Sequence, residues 1–273
     1  MVRNRNQRSR DYEAVAKILR PGHADLGYHA RFGIRDPRGG GRASARETVG
    51  RVIAGAIAQQ ILETRFGVRI HSWVSQVGGL KSAYSPEGRD EVEASPIRCP
   101  DPKLGPAMMQ LIDEVKKDGD TIGGVVTCVA KGVPAGWGSP VFGKLEADLA
   151  RAMLSIPACK GFEIGSGFDG VAMRGSEHND PLGPKNASTS NHAGGTLGGL
   201  SSGAPIEFRC AFKPVSTHFK PQSTIDVEGN ATEFTNEGRH DPCVVPRAVP
   251  IVTNMAAMVL LDHALLTTTL LRS

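Results

Sequence analysis

The sequence predicts a single layered domain in which strands and helices interleave, an α/β or α+β fold. Three observations point there. Helix-patterned and strand-patterned stretches alternate along the 273 residues with no internal repeat and no break in composition that would mark a domain boundary. Hydrophobic residues at 40% and charged residues at 22% suit a soluble globular chain with an ample core. The 33 glycines, set against 5% aromatics, signal many turns and close backbone approaches, as around a bound phosphate or cofactor.

The elements follow in order. SARETVGRVIAGAIAQQILETRFG places Val49, Val52, Ile53, Ala56, Ile57 and Ile61 at helical spacing, which predicts a helix with that face buried. Ser44 with Glu47 is a capping-box pattern that starts the helix at Ser44, and Gly67 ends it. Residues 68–80 read as a strand and turn, and 81–104 as loop. GPAMMQLIDEVKKDGD is a short amphipathic helix ending at Gly119, and TIGGVVTCVAKGVP is a β-branched strand. SPVFGKLEADLARAML reads as a helix with Pro140 in its first turn and Val141, Leu145, Leu149 and Met153 inward. KGFEIGSGF and APIEFRCAFKP are strands. Between them, 174–203 holds almost no large apolar residue and reads as a disordered segment or an active-site loop, with 190–203 alternatively a linker. VVPRAVPIVTNMAAMVLLDHALL is a buried apolar helix.

Composition narrows the function. A net charge of +4 is weak support for nucleic-acid binding, and the basic stretch offers only Tyr28 and Phe32 as stacking platforms. Five cysteines, odd in number and without a C-x-x-C pair, argue against a disulfide framework or structural zinc and for a reducing compartment. The first residues lack the apolar run of a signal peptide, and no stretch approaches 18 uninterrupted apolar residues. The cytoplasm is the expected compartment, with no membrane and no nucleic acid as partner.

Four constellations carry chemistry. RPGHADLGYHARFGIRDPRGGGRASARE, from Arg20 to Glu47, gathers six arginines around a triple glycine and a helix start. Free N–H groups, a positive helix end and arginine forks make an anion site there, unless the stretch is only a solvated basic surface. His23, among arginines, is a candidate acid or hydrogen-bond donor, or a plain loop histidine. In GRHDPC, Asp241 stands beside arginine and histidine, but it also reads as an N-cap before Pro242. SNHAGGTLGGLSSG is a mobile backbone able to wrap a ligand, and FKPVST ends a strand with a lysine and two hydroxyls that suit phosphate.

Taken together, RPGHAD, RGGGRASARET, GDTIGGVVTCVAKGVPAGWG, FGKLEADLARAMLSIPACKGFEIGSGF, GSEHND, SNHAGGTLGGLSSG, FKPVST and GRHDPCVVPRAVPI closely resemble the chorismate synthase family, in the family's order. The resemblance implies an α+β, single-domain β-α-β sandwich over residues 11–266, between a disordered tail at 1–10 and a tail at 267–273. It implies a phosphate lyase that makes chorismate from 5-enolpyruvylshikimate 3-phosphate by anti-1,4-elimination. Reduced FMN is required without net redox change, NADPH is associated with the family, and the enzyme is usually a homotetramer.

By the same resemblance Arg20, Ser44, Ala45, Arg46 and Arg239 bind substrate. Arg42, Ala43, Ser44, Ala158, Gly199, Lys213, Pro214, Val215, Ser216, Thr217 and Arg239 bind FMN, and the loop around Gly199 orders on that binding. His23 protonates or hydrogen-bonds the reduced flavin near N1, and Asp241 relays the substrate proton through N5. Family members begin with G-E-S-H-G and R-R-x-P-G motifs that do not occur here. The implied chain is therefore an N-terminally truncated member, with a catalytically impaired FMN- or anion-binding protein as the alternative.

Overall fold

The computed structural model describes residues 16–36, 40–183, 188–236 and 241–270. In chain order these form β1 (Ile18–Leu19), α1 (Asp25–Phe32), α2 (Thr48–Phe66), β2 (Arg69–Val77), β3 (Leu80–Lys81), α3 (Arg89–Glu93), α4 (Leu104–Lys117), β4 (Gly124–Lys131), α5 (Leu145–Leu154), β5 (Cys159–Ile164), α6 (Gly175–His178), β6 (Thr196–Leu197), β7 (Leu200–Ser201), β8 (Ile206–Phe212), β9 (Gln222–Asp226), β10 (Ala231–Phe234) and α7 (Val245–Leu270).

A five-stranded antiparallel sheet, ordered β3-β2-β4-β8-β5, carries the core of this mixed α+β domain. β2 and β4 are buried along nearly their whole length, with polar His71, Ser72 and Ser75 inside β2. β8 alternates instead, with Ile206, Phe208, Cys210 and Phe212 buried between exposed Glu207 and Ala211. α7 packs on β2 and β4, α5 on β5 and α7, and α2 along α7. β1, β9 and β10 make a second, three-stranded antiparallel sheet. The 1–10 tail lies outside the described residues, and α7 continues through 267–270.

Five local expectations are corrected. α2 starts at Thr48, not Ser44. Gly41–Ala43 and Ala45–Glu47 are 3-10 turns, so Ser44 stays extended and makes no side-chain cap, while Glu47 pairs with Arg51 at 2.8 Å. The buried face of α2 is not the anticipated stripe. Val49, Ile53 and Ile57 are 44%, 49% and 57% exposed, whereas Gly55, Ala58 and Leu62 are buried. A Cβ on Gly55 would stand 2.3 Å from Asn254 Cβ, so α2 crosses α7 too closely for anything larger there. α2 does end at Gly67, in the left-handed region with its N–H on Glu63 O.

α5 begins at Leu145, which leaves Pro140 outside it and Val141 73% exposed. Leu145, Leu149 and Met153 are fully buried as anticipated. The 174–203 segment holds α6 and the β6–β7 hairpin, in which Gly198 and Gly199 take the two positive-φ turn positions.

α7 begins at Val245, so Asp241 is not its N-cap and Pro242 lies outside it. Val245–Thr268 is long and apolar enough to cross a membrane, with mean hydropathy 1.6, yet it packs on β2, β4, α2 and α5 as a core helix. Pro250, inside α7, has no N–H to give Pro246 O. Arg98 Nη1 supplies that bond from another segment at 2.7 Å.

Candidate active site

β4 starts, β8 ends and β5 starts at one end of the sheet, where Gly124 and Cys159 both pair with Phe212. The segment after β8 turns there onto the loop before α1. Lys213 N–H bonds Ala158 O at 3.0 Å, and Thr121 Oγ1 donates to Val215 O at 2.7 Å. Lys213 Nζ donates to Gly22 O at 2.8 Å and to Ser216 Oγ at 2.6 Å, and Ser216 Oγ donates to Gly22 O at 2.7 Å. Gly22 is at φ +68, and a Cβ there would lie 2.8 Å from Ser216 Oγ, so only glycine lets the two loops meet. Ala158 is at φ +68 without being glycine, a strained backbone conformation of the kind that collects at functional sites. Burial, then the nearby Lys160, lowers the pKa of Lys213.

His23 lies in the same contact. Its Nδ1 is 3.0 Å from Pro21 O and its Nε2 is 3.0 Å from Thr217 Oγ1. Burial lowers its pKa, Arg20 and Lys213 reinforce that, and the Pro21 carbonyl and Asp25 oppose it. The imidazole is therefore held neutral near pH 7. Arg20 grips the buried Asp25 as a fork, with Nε to Oδ2 at 2.8 Å and Nη2 to Oδ1 at 2.9 Å. Arg35 Nη1 adds a contact to Asp25 at 3.4 Å, and its Nη2 holds Ile18 O at 2.8 Å. Burial alone would raise the Asp25 carboxyl, but Arg20 and Arg35 hold it below the usual carboxylate range.

The glycine-rich turn before α2 comes to this end as well. A Cβ on Gly40 would be 3.9 Å from Arg20 Nη2. Arg42 and Ala43 lie in the first 3-10 turn, and Ala45 and Arg46 in the second, with both arginines exposed. Arg46 Nε donates to Ser44 Oγ at 3.3 Å. Arg51 Nη1 on Ser155 Oγ, at 2.7 Å, ties this part of α2 to the chain just before Ala158. Asp241 is held nearby in sequence and space, because Ile122 N–H, two residues before β4, bonds Pro242 O at 2.8 Å. Its own carboxylate pairs with Arg247 Nε at 2.9 Å.

The structure thus brings Arg20, His23, Ala158, Asp241, the 42–46 turn and the Lys213–Thr217 segment, with Pro214 exposed on it, to one end of the sheet. Arg239 lies outside the described residues. Gly199 is at the other end. Its carbonyl caps Leu145 N–H at 2.9 Å, and a Cβ on it would meet Lys144 Cγ at 2.6 Å. α5 and β8, of 10 and 7 residues, both run between the two ends, a separation of roughly 15–20 Å. The sequence reading missed Asp25, which neutralises Arg20 and Arg35, as well as Thr121 and Lys160. An acidic residue at the first turn of α1 was the available sign for Asp25.

The family model described as chorismate synthase matches residues 1–265. The chorismate synthase of Opitutus terrae is 55% identical over 268 residues, covering 96% of this chain and 74% of that protein. That of Christiangramia forsetii is 52% identical over 267 residues, covering 97% and 75%. A solved structure described as a crystal structure of chorismate synthase superposes with a TM-score of 0.73 at 32% identity, covering 89% of this chain and 70% of that one. Matches of this extent favour an enzyme of that kind over an impaired binding protein.

Proposed function

The chain belongs to the chorismate synthase family, and we propose that the sheet end described above is where it eliminates phosphate from 5-enolpyruvylshikimate 3-phosphate to give chorismate. One observation carries the assignment. Arg20, His23, Ala158, the Lys213–Thr217 segment, the 42–46 turn and Asp241 converge from five stretches of sequence on one place.

The donor set there fits reduced FMN and a phosphorylated, carboxylated substrate. It combines exposed Arg42 and Arg46 with Lys213, whose ammonium uses two of its three donors on Gly22 O and Ser216 Oγ. The strained Ala158 backbone stands beside it. When bound, reduced FMN supplies electron density to the allylic system as phosphate leaves, without net redox change.

The chain's own residues do the rest. Arg46, Ser44, Ala45 and Arg20 orient the anionic substrate, and Arg239 joins them by resemblance. Lys213, Pro214, Val215, Ser216 and Thr217, with Arg42 and Ala43, hold the cofactor. His23 keeps a proton at Nδ1 and presents Nε2. Asp241 accepts the proton lost from the substrate, a role that needs a carboxylate within hydrogen-bond reach. Gly199 joins a site from a second copy, in keeping with a homotetramer. NADPH as ultimate reductant and a cytoplasmic setting belong to the same reading. The test is chorismate formation under anaerobic conditions with dithionite-reduced FMN. Turnover that requires both the flavin and the substrate phosphate supports the assignment, and its absence in folded protein overturns it.

A further inference from the structure

The hydrogen bonds around His23 admit one arrangement of protons in the neutral ring. Pro21 O can only accept, so Nδ1 carries the hydrogen, and Nε2 is then a lone pair that only a donor can fill. Thr217 Oγ1, 3.0 Å away, is that donor. We infer that Thr217 is a positioning residue for the reaction: Pro21 O sets the Nδ1–H form of His23, and the Thr217 hydroxyl, donating to the Nε2 lone pair, locks that ring with Nε2 facing the Lys213–Thr217 segment. The inference rests on the site assignment above and deepens it, because it says how His23 reaches the site.

Two features make the lock specific. His23 and Thr217 are 194 residues apart in sequence, so their contact exists only while the two loops are docked. The docking is held separately by Gly22 O, which accepts from both Lys213 Nζ and Ser216 Oγ. Removing the Thr217 hydroxyl therefore takes away the lock and leaves the docking in place.

The experiment uses the full chain with 15N-labelled histidine, read by long-range 1H–15N correlation, with the His23 signal assigned by its loss in His23→Gln. The wild type shows the Nδ1–H tautomer with a hydrogen-bonded Nε2. Thr217→Ser keeps both, and Thr217→Val and Thr217→Ala keep the tautomer but move the Nε2 signal downfield, toward that of an unbonded ring nitrogen. Turnover with reduced FMN falls on the order of 10²-fold in the Val variant and returns in Ser, while FMN affinity measured by fluorescence titration moves less than about threefold. An Nε2–H wild-type ring, or Val and Ala variants whose Nε2 signal stays at the wild-type position, overturns the inference. So does a Val variant whose only change is weaker FMN binding, because Thr217 is then just a cofactor contact. The Nε2 signal is read without turnover, so an inactive chain with the lock intact counts against the site assignment and not against Thr217.

Discussion

The two ends of the central sheet are built differently from the same materials. Both are crowded with glycines at positive φ. At the far end these glycines pack backbone against backbone. A Cβ on Gly138 would lie 2.2 Å from Gly199 O, and one on Gly195 2.4 Å from Pro205 O. At the near end Gly22 instead admits the side chains of Lys213 and Ser216, and the non-glycine Ala158 is held in the left-handed region. The far end spends its glycines on close packing. The near end spends them on bringing cations, hydroxyls and an imidazole together, and charge that gains little for stability there is explained by binding and chemistry.

The largest effects separate the ends by function. His23→Ala and Asp241→Asn should each slow turnover by about 10²–10⁴-fold, the range for lost general acid–base help, with thermal midpoints little changed. Near-normal rates in either would return that residue to a structural role. A Gly199 variant that folds should also lose turnover, for a different reason. Mixed and reassembled with the His23 variant, it should regain part of it, because an assembly then pairs an intact hairpin with an intact near end. Failure of that mixture, with mixed assembly verified, would confine Gly199 to packing within its own chain.

Smaller effects sharpen the contrast. Leu149→Ala, in the fully buried face of α5, should cost about 2–5 kcal/mol in denaturant unfolding, whichever end is probed. Arg46→Ala should weaken substrate binding by roughly 1.5–3 kcal/mol while leaving unfolding unchanged, since its side chain is exposed. The smallest effect is a pH dependence with one histidine at each end. Burial lowers the pKa of His23, with Arg20 and Lys213 adding to it. Burial also lowers that of His71, beside Lys131 at the far end. The unfolded chain then binds more protons than the folded one, so stability is complete above about pH 6.5 and falls as pH drops below it. His23→Gln and His71→Gln should each flatten part of that fall in unfolding measured at stepped pH. An unaltered slope would show that end to be silent.

Much of this was legible in the sequence, for identifiable reasons. The β-branched run in β4, the inward triad of α5 and the stop at Gly67 follow from period and backbone freedom alone, and the structure has them. The Arg20–His23 stretch and the Lys213–Thr217 segment were both recognisable, but not their contact, since nothing local links residues 194 apart. The buried face of α2 was misread because an apolar stripe does not say which side of a helix is covered. Close crossing at Gly55 favoured the small-residue side. Ser44 was misread because the capping pattern presumes a full α-helical turn where the chain makes tighter 3-10 turns. The β6–β7 hairpin was hidden by glycine abundance, although Gly-Gly between Leu197 and Leu200 is itself a hairpin signal.

The antiparallel pairing of β4 with β8 also has a consequence in time. On the ribosome, β4 is complete about 75 residues before β8 appears, a delay of roughly 4–15 s at ordinary rates of synthesis. For that interval Val125–Ala130 is a β-prone edge whose native partner on the side away from β2 has not yet been made. Slow translation across residues 132–205 would lengthen that exposure, and a chaperone that shelters unpaired strands would find its clearest task there.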